Sequence, residues 1–132
     1  MNLKTVHQPE LGRTIAELRK SRGLTQEELA VVALVARYHR KSRPKPSHLE
    51  YMRLPRDQRI LVNKLAALLR VADALDISHT RHIGDLDCKV DDDGLVIVAK
   101  PTADITLERK SLAAKKDMFE DVFGLRVRIE VE

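Results

Sequence analysis

Residues 56–79 carry the longest unbroken helical pattern in the chain. At about 3.6 residues per turn, Leu61, Leu65, Leu68, Ala72 and Leu75 fall in one line. Ile60, Val62, Leu69 and Val71 widen that face on both sides. So wide a stripe predicts a mostly buried helix. The opposite strip carries Arg59, Asn63, Arg70 and Asp73, with Ala66 among them. Arg70 and Asp73 are spaced to touch on one helix face. The strip reads either as solvated surface with an ion pair or as the lining of a site.

The same reading extends to both sides. Residues 1–9 read as a loose start, and 10–22 as a helix with Leu11, Ile15 and Leu18 on one face and Gly23 as its stop. Thr25 has the place of an N-cap and Glu28 completes a capping box. A helix over 25–40 follows, buried through Leu29, Val32, Leu34 and Val35. Pro44, Pro46 and Pro55 rule out a continuous helix over 41–55 and make it a loop. After residue 84 the period changes: Leu86, Cys88 and Val90 alternate with Asp85, Asp87 and Lys89 as in a strand. Asp91, Asp92, Asp93 and Gly94 form a hairpin turn into a return strand at 95–100. The three aspartates lack the further ligand spacing of a calcium loop. Pro101 breaks that strand, 103–107 suits a short third strand, and a helix over 109–123 ends at Gly124 before a last strand at 125–131.

The predicted fold class is therefore α+β. Residues 1–80 form a helical part with a basic loop. Residues 81–132 form a small β-β-(β)-α-β antiparallel sheet unit packed on it as one compact domain.

Composition narrows the function classes. The 132 residues suffice for one domain with a modest core, which must be aliphatic because aromatics are only 3% and tryptophan is absent. No run approaches the length of a membrane span, and the polar start has no signal-peptide pattern. The single cysteine, Cys88, excludes an intrachain disulfide, and a cytoplasmic setting is expected. The distribution of charge matters more than its sum. Residues 37–64 hold nine Lys or Arg against two acids, +7 locally, which leaves −3 for the rest of the chain. Such an excess points to a polyanion partner or to a solvated basic loop. Arg37, His39, Arg40, Lys41, Arg43 and Lys45 are the leading candidates for anion contact, with Arg59 and Arg70 as further contributors. Prolines stiffen the loop that presents Lys41, Arg43 and Lys45, which lowers the entropy cost of binding. No nucleophile–base arrangement is visible around Ser42, Ser47, Ser78 or Cys88.

The stretches ALVARYHRKSRPKPSH (33–48), LPRDQRILVNKLAALLRVADALDISH (54–79) and KKDMFEDVFG (115–124) are similar to the C-terminal region of the exopolyphosphatase / guanosine pentaphosphate phosphatase family. The resemblance runs from residue 24 to the end. It implies a truncated helical domain like that of HD-type metal phosphohydrolases, and a role in holding a long polyanion. Family members carry their phosphohydrolase site on a preceding actin-like pair of domains, to which nothing in this sequence corresponds. HD-type enzymes bind metal through a histidine, an adjacent His-Asp pair and a later aspartate. Asp73 stands at the later aspartate, as a vestigial metal candidate, but the adjacent pair is absent from the chain. The resemblance thus implies no resident cofactor, and Mg2+ would come only with polyphosphate or a nucleotide. The implied partners are polyphosphate or a phosphorylated guanine nucleotide, with a separate catalytic domain or a second copy of the chain besides.

Two other functions compete with a polyanion-binding module. One is phosphohydrolase activity, either as part of a larger exopolyphosphatase or through a vestigial site of His39, Asp73 and His79. The other is DNA binding, because GRTIAELRKSRGLTQEELA (12–30) resembles the first helix and the start of the second in phage-repressor-type helix-turn-helix domains. Those domains also need a turn and a recognition helix, whereas Leu29-Ala30 runs straight into VVALVARYHR.

Overall fold

The computed structural model describes residues 8–40 and 42–132. Four helices come first: α1 (Gln8–Ser21), α2 (Gln26–Arg40), the short α3 (Leu49–Met52) and α4 (Arg56–Leu75). The hairpin β1 (Ile83–Asp91) and β2 (Gly94–Pro101) follows, then α5 (Thr106–Lys115), α6 (Asp117–Phe123) and β3 (Val127–Val131). The class is α+β, as the change of period predicts.

The punctuation read from the sequence forms as expected in several places. The Thr25 hydroxyl accepts from the Glu28 amide at 3.1 Å, and the Glu28 carboxylate accepts from the Thr25 amide at 2.9 Å, closing the capping box. Pro55 stands immediately before α4. Gly124 caps α6 in the left-handed region at φ 66°. The Asp91 carboxylate folds over the hairpin turn, accepting from the amides of Asp93 at 2.9 Å and Gly94 at 3.1 Å.

α4 is rotated relative to the sequence expectation. Its buried residues are Val62, Ala66, Ala67, Arg70, Val71 and Ala74. Leu61, Leu65, Leu68 and Leu69 lie on the exposed side, with Leu61 45% accessible. The reason is steric. α2 brings Val31, Leu34, Val35 and the ring of Tyr38 to the interface, and alanines on α4 let the two helices meet closely around them. A leucine row there would hold them apart. The face shared by Ile15 and Leu18 on α1 is likewise exposed.

The sheet order is β1-β2-β3. The hairpin pairs antiparallel as expected, with Cys88 opposite Ile97. The expectation of an antiparallel unit throughout needs correcting at β3, which pairs parallel to β2 with Ile97 opposite Ile129. α5 and α6 supply the crossover that parallel neighbours require. The bracketed third strand at 103–107 does not form. Only four residues separate Pro101 from Thr106, too few to reverse the chain and pair, and the helix has begun by Thr106. Residues 109–123 form two helices meeting at Lys116, with α6 packed on the core through Met118 and Phe119. α4 packs against α5 and α6, so the helical part and the sheet unit share one core.

Gly94 is the position in the sheet least tolerant of a side chain. Its φ is +132°, and a Cβ there would run into the backbone of Arg126. Gly124 is also left-handed, but a Cβ would meet nothing within 4 Å. Gly94→Ala should lower stability by about 2 kcal/mol or more, and Gly124→Ala by about 1 kcal/mol. Thermal unfolding of the two variants side by side checks the order.

Candidate functional site

α2 ends at Arg40 and leaves the carbonyls of its last turn without helical partners. Arg70, only 6% exposed, reaches across from α4 and donates through Nη1 to the Tyr38 carbonyl at 3.2 Å. A cation at a helix C-terminus also meets the negative end of the dipole. Tyr38 stacks on His48 with ring centroids 5.5 Å apart, and meets Tyr51 edge-on at 5.9 Å. Its hydroxyl donates to His48 Nδ1 at 2.6 Å, and the Tyr51 hydroxyl donates to Asn63 at 2.8 Å. Burial pushes the Tyr38 phenol above its ordinary value, with Glu50 and Tyr51 adding to the rise and Arg37 opposing it. These contacts fasten the proline-rich connection and α3 to the α2–α4 pair. The sequence assigns no structural role to Tyr38, His48 or Tyr51, and His48 enters there only as a residue that can add charge to the basic segment at lower pH. The i,i+3 spacing of His48 and Tyr51 was the signal available.

The basic residues then divide into two groups. Some are ties within the fold. Arg43 bridges to Asp121 at 2.7 Å and Asp117 at 3.5 Å on α6. Arg59 packs against Met52 with Nη1 3.5 Å from its sulfur, and Arg70 is inside, as above. Arg37 lies 3.7 Å from Glu50 but stays half exposed. Nδ1 of His39 donates to the Ala36 carbonyl at 2.8 Å. Lys41 lies outside the described residues. The second group is open to solvent: Arg40, Lys45, Arg53, Arg56 and Lys64 are exposed. Among the described residues none of these five forms a salt bridge. Arg53, Arg56 and Lys64 were counted in the basic excess but not singled out.

Asp73, the vestigial metal candidate of the sequence, holds an ammonium. Lys115 Nζ from α5 is 3.0 Å from its Oδ2. Burial works to raise the Asp73 carboxyl. The hydrogen bond and charge of Lys115, with His39 and Arg40 behind it, outweigh burial and hold it below its ordinary value. Among the described residues no three His, Cys, Asp or Glu side chains are grouped to hold a metal ion. His39, Asp73 and His79 are therefore not brought together as ligands.

A second polar cluster joins the end of α4 to α5. Glu108 is wholly buried, and its Oε1 lies 3.0 Å from both Ser78 Oγ and His82 Nδ1. Burial pushes the Glu108 carboxyl up. Its own backbone amide, Ser78 and His82 together bring it below the ordinary value. The residue types suggest a catalytic triad, but the geometry does not. Ser78 and Glu108 both approach the same ring nitrogen, so His82 cannot relay a proton from one to the other. The cluster fixes a loop in which His79 and Arg81 both have left-handed backbone, at φ 57° and 53°.

A groove of about 590 Å³ lies between the hairpin tip and the end of α6. Asp92, Asp93 and Glu120 line it alongside Lys116, Arg126 and Arg128, so it offers no net attraction to an anion. Lys116 and Glu120 are already bonded there to the carbonyl and amide of Val127. Among the described residues, no helix is long and apolar enough to cross a membrane.

Lys115→Ala should cost roughly 1 kcal/mol at neutral pH, because it leaves a half-buried carboxylate without its cation. The lowered Asp73 carboxyl contributes stability above its unfolded value near 3.8, and that contribution is lost as pH falls through the lower folded value. Urea unfolding at neutral pH and in acid should therefore find the gap between the two proteins wide at the first and nearly closed at the second.

The comparisons with known proteins agree with the helical geometry. No curated protein matches the chain. The model of the HD-CE family matches residues 7–82, more than half of the chain, from α1 through α4 to His82 at the Glu108 cluster. The chain belongs to the HD-CE family.

Proposed function

We propose that the protein is a polyanion-binding module built on an HD-like domain, taking polyphosphate or a phosphorylated guanine nucleotide, and without hydrolytic activity of its own. The observation that carries this reading is the set of exposed cations Arg40, Lys45, Arg53, Arg56 and Lys64, all within the segment of +7 charge. None is committed to a carboxylate among the described residues, whereas Arg43, Arg59 and Arg70 serve the fold. These point charges and single guanidinium groups are spread from the end of α2 through the proline-rich connection to the first half of α4. That suits an extended chain of phosphates better than a compact nucleotide. The solvent-exposed group therefore forms the anion face, joined by the half-exposed Arg37 and His39, with Lys41 part of the same basic run in the sequence. Lys115 places a cation on Asp73 Oδ2, where it competes with any metal ion for that carboxylate, and this supports binding over catalysis in this chain.

The resemblance to the exopolyphosphatase family supports polyphosphate as the first ligand to try, with the catalytic domains in a separate partner. Nucleic acid would be attracted by the same charges. However, α2 runs unbroken from Gln26 to Arg40 and leaves no separate recognition helix after the capping box.

Binding of medium-chain polyphosphate should weaken steeply with salt. Replacing Arg40, Lys45 and Arg56 together by alanine should reduce affinity by about tenfold or more at low ionic strength, with thermal stability little changed. Arg43→Ala should leave most of the binding and lower stability by at most about 1 kcal/mol, since its partners Asp117 and Asp121 are more than half exposed. Calorimetric titration of the proteins with polyphosphate decides it. No binding by the parent protein at low salt, or equal binding by the triple variant, refutes the reading.

A further inference from the structure

β1 is an uncapped edge of the sheet. Leu95 donates to the Arg126 carbonyl and Glu132 to the Ala99 carbonyl, so the odd-numbered residues of β2 face β3 and the even-numbered ones face β1. The hairpin register sets Lys89 opposite Val96 and Asp87 opposite Val98. Asp87 and Lys89 therefore spend their backbone groups inside the hairpin, while those of Leu86, Cys88 and Val90 point outward along the edge, where the Leu86 amide is held at 2.9 Å by the neighbouring Asp85 carboxylate, a contact that an incoming strand displaces. The side chains of the same three residues stand on the helix-covered side of the sheet, opposite Ala99, Ile97 and Leu95. The helices do not extend over them. Val90 is 67% exposed, and an apolar groove of about 540 Å³ opens between β1 and Leu68, Ala72 and Leu75 of α4. A long edge with free backbone groups and an apolar face is a template for another strand.

We infer that this edge pairs with β1 of a second copy, antiparallel about a two-fold axis at Cys88, to give one continuous six-stranded sheet. The strand is complementary to itself in that register. Leu86 faces Val90 of the second copy, and Val90 faces its Leu86. Asp87 faces Lys89 of the second copy, and Lys89 faces its Asp87, so the two-fold makes both ion pairs at once. The residues with free backbone groups meet each other, as hydrogen-bonded antiparallel pairs must. Moving the axis by one residue sets Asp87 against Asp87, or Lys89 against Lys89. The remaining like pair, Asp85 against Asp91, is already countered within each chain. Lys100 lies 3.8 Å from Asp85, and is shared with Asp87 at 3.9 Å and Glu132 at 3.5 Å, while Arg128 binds Asp91 at 2.5 Å. The side chains of the second copy extend the apolar floor beside α4 and cover the open flank of the groove.

The test is a charge swap read by sedimentation equilibrium over a range of concentrations. The parent protein should move from 15.0 kDa to twice that mass as concentration rises. Lys89→Asp and Asp87→Lys each set like charges opposite one another at two places and should weaken association by tenfold or more. The combined Asp87→Lys, Lys89→Asp variant restores opposite charges and should recover the dimer. Both positions are exposed, and circular dichroism verifies that each variant is folded. Alkylation of Cys88, the sole cysteine, should slow as the parent protein dimerises and stay fast in the single variants. A parent protein that remains monomeric overturns the inference, leaving the edge to a different protein. A dimer indifferent to either single reversal also overturns it, and would indicate association through the exposed leucines of α4.

Discussion

The close approach of α2 and α4 is the constraint on which the rest of the molecule depends. Ala66, Ala67 and Ala74 present almost no side chain at the contact, which brings the α4 backbone near enough for Tyr38 to be wholly enclosed. The same proximity lets Arg70 reach the carbonyls at the end of α2. Once Tyr38 is fixed, His48 and Tyr51 have rings to stack on, and the proline-rich connection is drawn against the helices. The small residues thus determine where the basic segment lies, although none of them carries charge.

This arrangement separates two uses of arginine that look alike in sequence. Arg43 and Arg70 are both tied within the molecule, one at the surface to a pair of α6 carboxylates and the other, buried, to a helix end. Removing Arg70 would leave a buried helix-end carbonyl without this donor. Arg40, Arg53 and Arg56 contribute field and little else to the fold, since surface charges in water are weakly coupled to stability. A ligand can recruit the second kind at small structural cost. Lys115 plays a third role, neutralising the half-buried Asp73 carboxylate from α5.

The exposed leucines of α4 and the open edge of β1 are both apolar surfaces left to water. They differ in what they specify. A leucine row is apolar but carries no register, so many partners would satisfy it. An edge strand has a fixed ladder of donors and acceptors and an alternation of side chains, so only a few alignments avoid like charges. That is why the edge, and not the larger helix face, determines a particular partner.

The sequence alone determined the elements and much of their punctuation. The Thr25–Glu28 box, the stop at Gly124, the start after Pro55 and the change of period after residue 84 are local effects, decided by residues a few positions apart. The concentration of charge over 37–64 was equally legible, because it needs only counting. The tertiary structure decided which face of α4 is inside. Periodicity ranks faces by hydrophobicity, whereas the partner helix selects by fit, and Tyr38 required alanines where leucines were expected. It decided the direction of β3, since two helices return the chain to the start of the sheet. It also decided which basic residues remain available to a ligand. Asp117 and Asp121 stand more than seventy positions from Arg43 and Lys115 stands forty-two from Asp73, so no local pattern could have paired them.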